Sequence, residues 1–297
     1  MELFAQRMKA FVAVADADGF SAAALRLGLT QSTVSKQVAA LERDLGTRLF
    51  QRTTRSLVLT KEGSAFYEAS LRALAALDEA VSAVGSHGET QGFLRLTMPL
   101  TLAESRVIRM ISEFLIRYPR VQVDLSISDH AVHLVADQID VALRVGRLVD
   151  SGLIARKIGV AKRVAVASPA YLDRHGRPEL VADLATHNCL SYSLLSTGPT
   201  WRFTNGGEVK IMGNFKTDSP NALRAAALSG IGIAVNATWL FENELADGTL
   251  ERVLPDQEPE PMPIHAVLPS GRYVAARTRA FVDFMADAFA RDPLLHD

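Results

Sequence analysis

The sequence predicts an all-α winged helix-turn-helix at the N-terminus, a long linker helix, and a C-terminal α/β region of two subdomains. Three features lead there. Apolar residues recur at helical spacings as far as Val84, the stretch 85–92 is rich in glycine and polar residues, and strand-like runs alternate with helix-like runs from Phe93 onward.

Leu3, Met8, Phe11, Val12 and Ala15 fall near helical spacing. Asp18 and Gly19 then break the pattern and free Ser21 to cap a second helix, over residues 21 to about 27. Ala22, Ala23 and Ala24 are small enough for a following helix to cross closely. Gly28, Leu29 and Thr30 supply the turn, and Thr30 is the N-cap of a third helix whose buried stripe is Val34, Val38, Leu41 and Leu45. Gln31, Ser32, Thr33, Ser35, Lys36 and Gln37 crowd the first turns of its polar face, where a recognition helix offers side chains to base edges in the major groove. Periodicity alone fits an ordinary amphipathic helix pair equally well. Residues 49–60 shift the balance, since they read as a strand, a tight polar turn and a second strand. In such a wing Phe50, Leu57 and Leu59 pack on the helices, while Arg52 and Arg55 reach flanking phosphates or the minor groove. Although the net charge is −1, the stretch 21–61 is locally basic: Arg26, Lys36, Arg43, Arg48, Arg52, Arg55 and Lys61 face only Glu42 and Asp44.

From Glu62 onward Tyr67, Leu71, Leu74, Leu77, Val81 and Val84 form an apolar seam on one long helix, uninterrupted before Gly85. Such a seam needs either its own domain or the same helix of a second chain. The break at 85–92 isolates the helix from the C-terminal region and favours the second chain. At 297 residues, 48% hydrophobic and 22% charged, the chain can bury a sizeable core and hold at least two domains. The longest apolar runs stop short of a membrane span and the first residues lack a secretory pattern, so a cytoplasmic protein without membrane contact is expected. The single cysteine, Cys189, excludes an internal disulfide and any multi-cysteine metal site.

Beyond the break, residues 93–97 read as a strand, 102–118 as a helix, 121–127 as a strand, about 132–137 as a short helix and 139–145 as a strand. Further strands near 154–158 and 163–167 complete a pattern consistent with a parallel sheet. Later come a helix over 222–229, a turn and buried strand over 230–235, and a final amphipathic helix over 278–291. About two hundred residues suffice for two α/β subdomains with a cleft between them.

The run Phe20-Ser21-Ala22-Ala23-Ala24, then Leu29 through Val38, Leu41-Glu42, Leu45-Gly46, Leu49-Phe50 and Leu59-Thr60-Lys61-Glu62-Gly63, resembles the DNA-binding signature of LysR-type transcription regulators. The resemblance implies base or phosphate contacts to double-stranded DNA from Gln31, Ser32, Thr33, Ser35 and Lys36, with Arg52 and Arg55 in the wing. Lys36 stands where the family often has arginine, so it offers a point charge without a bidentate fork, suited to phosphate anchoring. The similarity continues more loosely through Phe114 to Pro119, Ile139 to Arg144, Ala227 to Ala234 and Gly248 to Leu254, which look like LysR effector domains. That implies a periplasmic-binding-protein-like fold, dimerisation through the linker helix, and tetramers built from two dimers. The units are then residues 1–60 for the winged helix-turn-helix, 61–91 for linker helix and hinge, and 92–297 for the effector domain. Within the last, one subdomain spans about 92–161 and 265–297, the other about 162–264. A two-fold dimer implies a two-part, roughly palindromic DNA site.

Open α/β sheets bind ligands beyond the carboxyl ends of strands, where helix N-termini offer unpaired N–H groups. Candidate effector contacts are therefore Pro99, Leu100 and Thr101 after the first strand, Ser128 and Asp129 after the second, and Gly146 and Arg147 after the third. The other subdomain adds Thr217 and Ser219 before a helix and Asn236 after a strand, where the family commonly has proline. Thr101 and Ser219 serve equally well as helix caps, and Arg147 as a solvated loop charge. Helix N-termini and Arg147 favour a small organic anion as effector. Two rival classes fit less well. His187 and Cys189 lack an orienting acid, and a lone cysteine is usually a small buried hydrophobe, so no catalytic residues are assigned and the chain is not expected to be an enzyme. A transport binding protein would lack the basic N-terminal module. His130 and His133 have no further ligand close in sequence, so neither metal nor cofactor is expected, and Gly230-Ile231-Gly232 reads as a helix C-cap.

Overall fold

The computed structural model describes residues 2–17, 19–52, 57–83, 90–134, 137, 139–148, 153–194, 198–269 and 274–296. The N-terminal module begins with α1 (Glu2–Asp16), α2 (Phe20–Leu27) and α3 (Gln31–Leu45), followed by the antiparallel pair β1 (Phe50–Arg52) and β2 (Leu57–Leu59). α2 starts earlier than its sequence suggests. Gly19, extended at φ 173°, is its N-cap and contributes no side chain, so Ser21 lies exposed inside the helix rather than capping it. The helix stops at Gly28, which takes the left-handed conformation (φ 65°) that a side chain would strain. α3 restarts two residues later, where the Thr30 hydroxyl accepts from the Thr33 N–H at 3.2 Å. Val34, Val38 and Leu41 are buried against Phe11, Val14 and Ala23, and the Phe11 ring lies 5.2 Å from Phe50 and 5.4 Å from Phe66.

α4 (Lys61–Ala83) grows directly out of the wing. The Thr60 hydroxyl accepts from the Gly63 N–H at 2.9 Å, and Gly63 passes so close to β1 that a Cβ there would meet the Leu49 carbonyl oxygen at 2.0 Å. Leu71 and Leu74 are buried in the same core as Phe11, and the Tyr67 hydroxyl donates to Asp16 at 2.5 Å. The early part of the apolar seam is therefore used inside the chain rather than between chains, because α4 leans on α1. Leu77, 44% exposed, is the first seam residue left outward. The Val81 side chain and Val84 lie outside the described residues.

The strands of the remainder are β3 (Gln91–Met98), β4 (Arg120–Ile127), β5 (Val141–Val145), β6 (Ile154–Ala161), β7 (Arg163–Ala167), β8 (Ser191–Tyr192), β9 (Thr200–Arg202), β10 (Glu208–Lys210), β11 (Lys216–Thr217), β12 (Ala234–Ala237), β13 (Glu251–Val253) and β14 (Met262–Leu268). The helices are α5 (Leu100–Leu102), continued by a π-turn (Ala103–Val107) into α6 (Ile108–Arg117), then α7 (Pro169–His175), α8 (Pro220–Leu228), α9 (Glu242–Asp247) and α10 (Ala276–Arg291). The larger sheet has the order β4-β3-β5-β14-β6. β3 is parallel to β4 and β5, but β14 is antiparallel to β5 and β6, so the sheet is mixed where the sequence predicts a parallel one. The reason is that β14 returns from the second subdomain without a crossover helix. No helix is found at Leu134 or Asp137, which sit in turns; residues 135, 136 and 138 lie outside the described ones. Phe114, Phe281, Met285 and Phe289 of α6 and α10 cover one face of this sheet.

The second subdomain holds the antiparallel sheet β12-β7-β13, the parallel pair β8-β11 extended by the bridge Cys189 to Ile233, and the hairpin β9-β10. β6 runs out at Ala161 beside Met262, where β14 returns, so the two connections between subdomains lie side by side. Further contacts span them. The Trp239 indole N–H points at the Thr101 hydroxyl at 3.4 Å, and Arg106 of the π-turn pairs with Glu242 at 2.5 Å.

Candidate nucleic-acid interface and effector cleft

The first turns of α3 present Gln31, Ser32 and Lys36 to solvent, with Thr33, Ser35 and Gln37 beside them. Ser32 and Thr33 hydroxyls lie 3.0 and 2.8 Å from the Thr30 hydroxyl, so both are engaged in the cap. Gln31 and Lys36 project beyond it. Arg52 ends β1, although its side chain is outside the described residues, as is the whole of Arg55. Glu42 has a role that the sequence does not reveal. Its Oε1 accepts from the backbone N–H groups of Leu49 and Phe50 at 2.8 and 3.2 Å, which fixes the entry to the wing against α3. No spacing rule announces a carboxylate that bonds a backbone seven residues on. Arg26, counted among the bases of this stretch, turns away from the α3 surface: its guanidinium lies 3.4 Å from Asp16 and 3.5 Å from Asp140 beyond the linker.

The predicted effector positions divide into committed and open groups. Thr101 is buried with its hydroxyl opposite Trp239, and Ser219 caps α8 by accepting from the Ala222 N–H at 3.3 Å. The Asn236 Oδ1 accepts from the Ala237 N–H at 2.7 Å, and Gly146 is buried with its N–H donating to the Pro263 carbonyl. Thr217 accepts through its Oγ1 from the Ser219 N–H at 3.0 Å, and Arg147 is a solvated loop residue. Pro99 and Leu100, half-buried, form the start of α5, and the Ser128 carbonyl accepts from Arg144 Nη1 at 2.7 Å.

Asp129 is the informative one. The Leu100 backbone N–H at the start of α5 offers its carboxylate a hydrogen bond that favours the charged form. Burial, opposed by that hydrogen bond and by His130 and Arg144, holds its carboxyl above the usual carboxylate range, with Asp218 adding to the rise. Asp218 comes from the second subdomain and faces His130 Nε2 at 3.7 Å. Burial, then the nearby Asp129 and Asp218, push the Tyr192 phenol upward, and burial lowers the Arg144 guanidinium. His130, Arg144, Tyr192 and Asp218 cannot be assigned from sequence because they meet only when segments far apart along the chain converge. Tyr192 also borders a cavity of about 520 Å³ lined by Ser193, Pro199, Met212, Phe215 and Lys216.

The other chemical candidates separate. Cys189 is buried, its Sγ donates to the Leu184 carbonyl, and burial lifts its thiol to about 12. His187 Nδ1 pairs instead with the Tyr171 hydroxyl at 3.1 Å. A thiol held neutral and a histidine facing elsewhere make no nucleophile and base. Gly230 follows α8 at φ 70°, with its N–H on the Ala227 carbonyl, as a helix stop.

Residues 5–64 match the family described as the bacterial regulatory helix-turn-helix protein, lysR family, and residues 87–290 match the LysR substrate binding domain. The regulator PtxR of Pseudomonas aeruginosa is 37% identical over 290 residues, spanning 96% of this chain and 92% of the relative. The solved structure of CrgA, a LysR-type regulator from Neisseria meningitidis, is 33% identical with a TM-score of 0.59, covering 95% of this chain and 97% of that one. Full-length AphB, a virulence activator of Vibrio cholerae, superposes with a TM-score of 0.56 at 29% identity, covering 95% and 98%. A helix-turn-helix with an exposed polar first turn, joined by one helix to a two-subdomain effector-binding region, is thus shared along nearly the whole length, and the chain belongs to the LysR family of DNA-binding transcription regulators, not to the enzymes.

Proposed function

We propose that this chain recognises a two-part promoter site as a homodimer, reading bases with the first turn of α3, and that a small molecule held between the two effector subdomains modulates the binding. The observation that carries this is the solvent-facing polar turn of α3 beside a wing held in place by Glu42. Gln31 reads a base edge, Lys36 anchors a phosphate, and Ser32, Thr33 and Ser35 add short contacts from around the cap. Arg52 and Arg55 neutralise flanking phosphates from the wing. The dimer forms through the outward part of α4 from Leu77 on, and two dimers assemble into a tetramer. The working units are residues 1–60, 61–91 and 92–297, with the effector unit changing subdomain near 162 and returning near 265.

Selection of genomic fragments by the purified full-length chain at fixed salt, followed by footprinting of the fragments recovered, tests this. Protection of two half-sites about one helical turn apart, or a multiple of it, is expected. Only salt-sensitive binding with no preferred fragment would contradict sequence-specific regulation.

A further inference from the structure

We infer that Arg26 ties the DNA-reading module to the effector region, and that this tie sets the orientation in which α3 is offered to a two-part site. The inference rests on the two-part-site reading above and deepens it by naming what positions the reading helix. Arg26 lies in the last turn of α2, and its guanidinium stands between two acids of different units: Asp16 of α1 at 3.4 Å, and Asp140, just ahead of β5, at 3.5 Å. The three side chains are mostly out of water, at 18%, 5% and 12% exposure respectively. Each acid is also fixed within its own unit. The Tyr67 hydroxyl of α4 donates to Asp16, and Asp140 accepts from the Arg95 N–H of β3 at 3.0 Å. Two carboxylates held on facing surfaces repel unless a cation stands between them, and the cation that touches both is Arg26.

The surroundings make this bridge releasable. The units meet over a cavity of about 220 Å³ bordered by Lys9, Asp16 and Arg26 from the N-terminal module and by Gln91, Asp140 and Arg277 from the effector region. They are joined there across open space by ion pairs and not by close packing, so the junction can part without exposing a core. The bridge is also placed to feel the cleft. From it the neighbouring strands β3 and β5 lead to Thr101, which faces Trp239 of the other subdomain, and to Arg144, which holds the Ser128 carbonyl. A shift of the subdomains is thereby passed to the surface that carries Asp140 and, while the bridge holds, to α3. Gln31 and Lys36 face solvent with the bridge made, so the tie orients the module rather than masking it. A module held in one orientation loses less freedom on meeting both half-sites together, which raises affinity for the pair and not for either half alone.

The test uses the full-length protein and asks whether a charge in the effector region controls the DNA-binding module. Cys189 is buried, so spin labels attach selectively to Ser21→Cys on α2 and Ser112→Cys on α6, both exposed positions. Pulsed electron resonance, with labelled chains diluted in unlabelled ones, then reads the distance between the units within one chain. A narrow distribution is expected with the bridge intact and a broad one for Arg26→Gln and for Asp140→Asn, while Arg26→Lys, which keeps the charge, stays narrower. Equal widths throughout, or a broad distribution before any change at the bridge, overturn the tie. Asp140→Asn is the decisive variant, because it leaves the contacts within the N-terminal module untouched and keeps an oxygen for the Arg95 N–H. DNA binding supplies the second reading, on a genomic fragment recovered by selection and on the same fragment with one half-site scrambled. Asp140→Asn should lower affinity for the intact fragment about tenfold and leave that for the scrambled one within about twofold of the parent. Equal losses on both fragments overturn orientation as the role of the bridge. A parent that prefers no fragment overturns the two-part-site reading and the role given to the bridge with it, while the label distances still show whether Arg26 joins the units.

Discussion

The two functional regions are built by opposite strategies. The DNA-reading surface is the start of one helix: Thr30 to Lys36 are contiguous, and the cap and the exposed face are written in seven consecutive residues, with the buried stripe of Val34, Val38 and Leu41 continuing in the same helix. The cleft is assembled from the ends of β3 and β4, β5, the β8 strand and the loop after β11, so it forms only when segments far apart along the chain converge. The difference is that a local site tolerates movement of the rest of the chain, while a convergent site reports it. That is the division of labour a ligand-controlled regulator needs.

The largest expected effect tests the rigid side of this comparison. Gly63→Ala should destabilise the N-terminal module by about 3 kcal/mol, since the new Cβ cannot coexist with the Leu49 carbonyl where it stands. Urea unfolding should show it, and a midpoint within error of the parent would mean that α4 and the wing shift freely. Glu42→Ala comes next, at about 1–3 kcal/mol, because the Leu49 and Phe50 N–H groups lose their acceptor. It should also weaken binding to every DNA sequence by loosening the wing. Smaller still is Thr101→Val on the convergent side, which removes the long contact to Trp239 and should cost under about 1 kcal/mol while altering tryptophan emission.

A pH dependence sharpens the contrast further. Burial lowers both His187 and His265, with His175 and Lys157 respectively adding to the effect. Their unfolded value is about 6.5, so as pH falls through that point the unfolded chain takes up protons that the folded chain does not. Stability is therefore expected to fall as pH drops through about 6.5, levelling once the folded values are passed. Both groups lie in the effector region, so melting of that region should move and His265→Gln should flatten the dependence. An unchanged melting temperature through this pH would contradict the burial assigned to them.

Most of the N-terminal module is legible in the sequence because its signals are short. Thr30 three residues before Thr33, Gly28 ahead of it and the stripe Val34, Val38 and Leu41 each act within a turn or two. The misplaced cap at Ser21 has the same local origin: Gly19 can cap without a side chain, which residue preferences do not show. Long-range pairing is less accessible. Nothing near β14 says that it inserts antiparallel between β5 and β6, and nothing near α4 says that Leu71 and Leu74 will be taken by α1 instead of a second chain. In the cleft, strand ends can be read from the sequence as places where a ligand could sit, but the helix start reads as empty. The Leu100 backbone bears there on Asp129, and only the meeting of the loop after β4 with the start of α5 makes that visible.

The central claim is that α3 reads and the wing anchors, and affinity measured in parallel on a selected site and on random DNA over a range of salt tests it most directly. Gln31→Ala should lose about 1–3 kcal/mol of discrimination at one base position with little change on random DNA, while Arg52→Ala should weaken both and lower the salt slope by about one. Equal losses from both substitutions on specific and random DNA would contradict it.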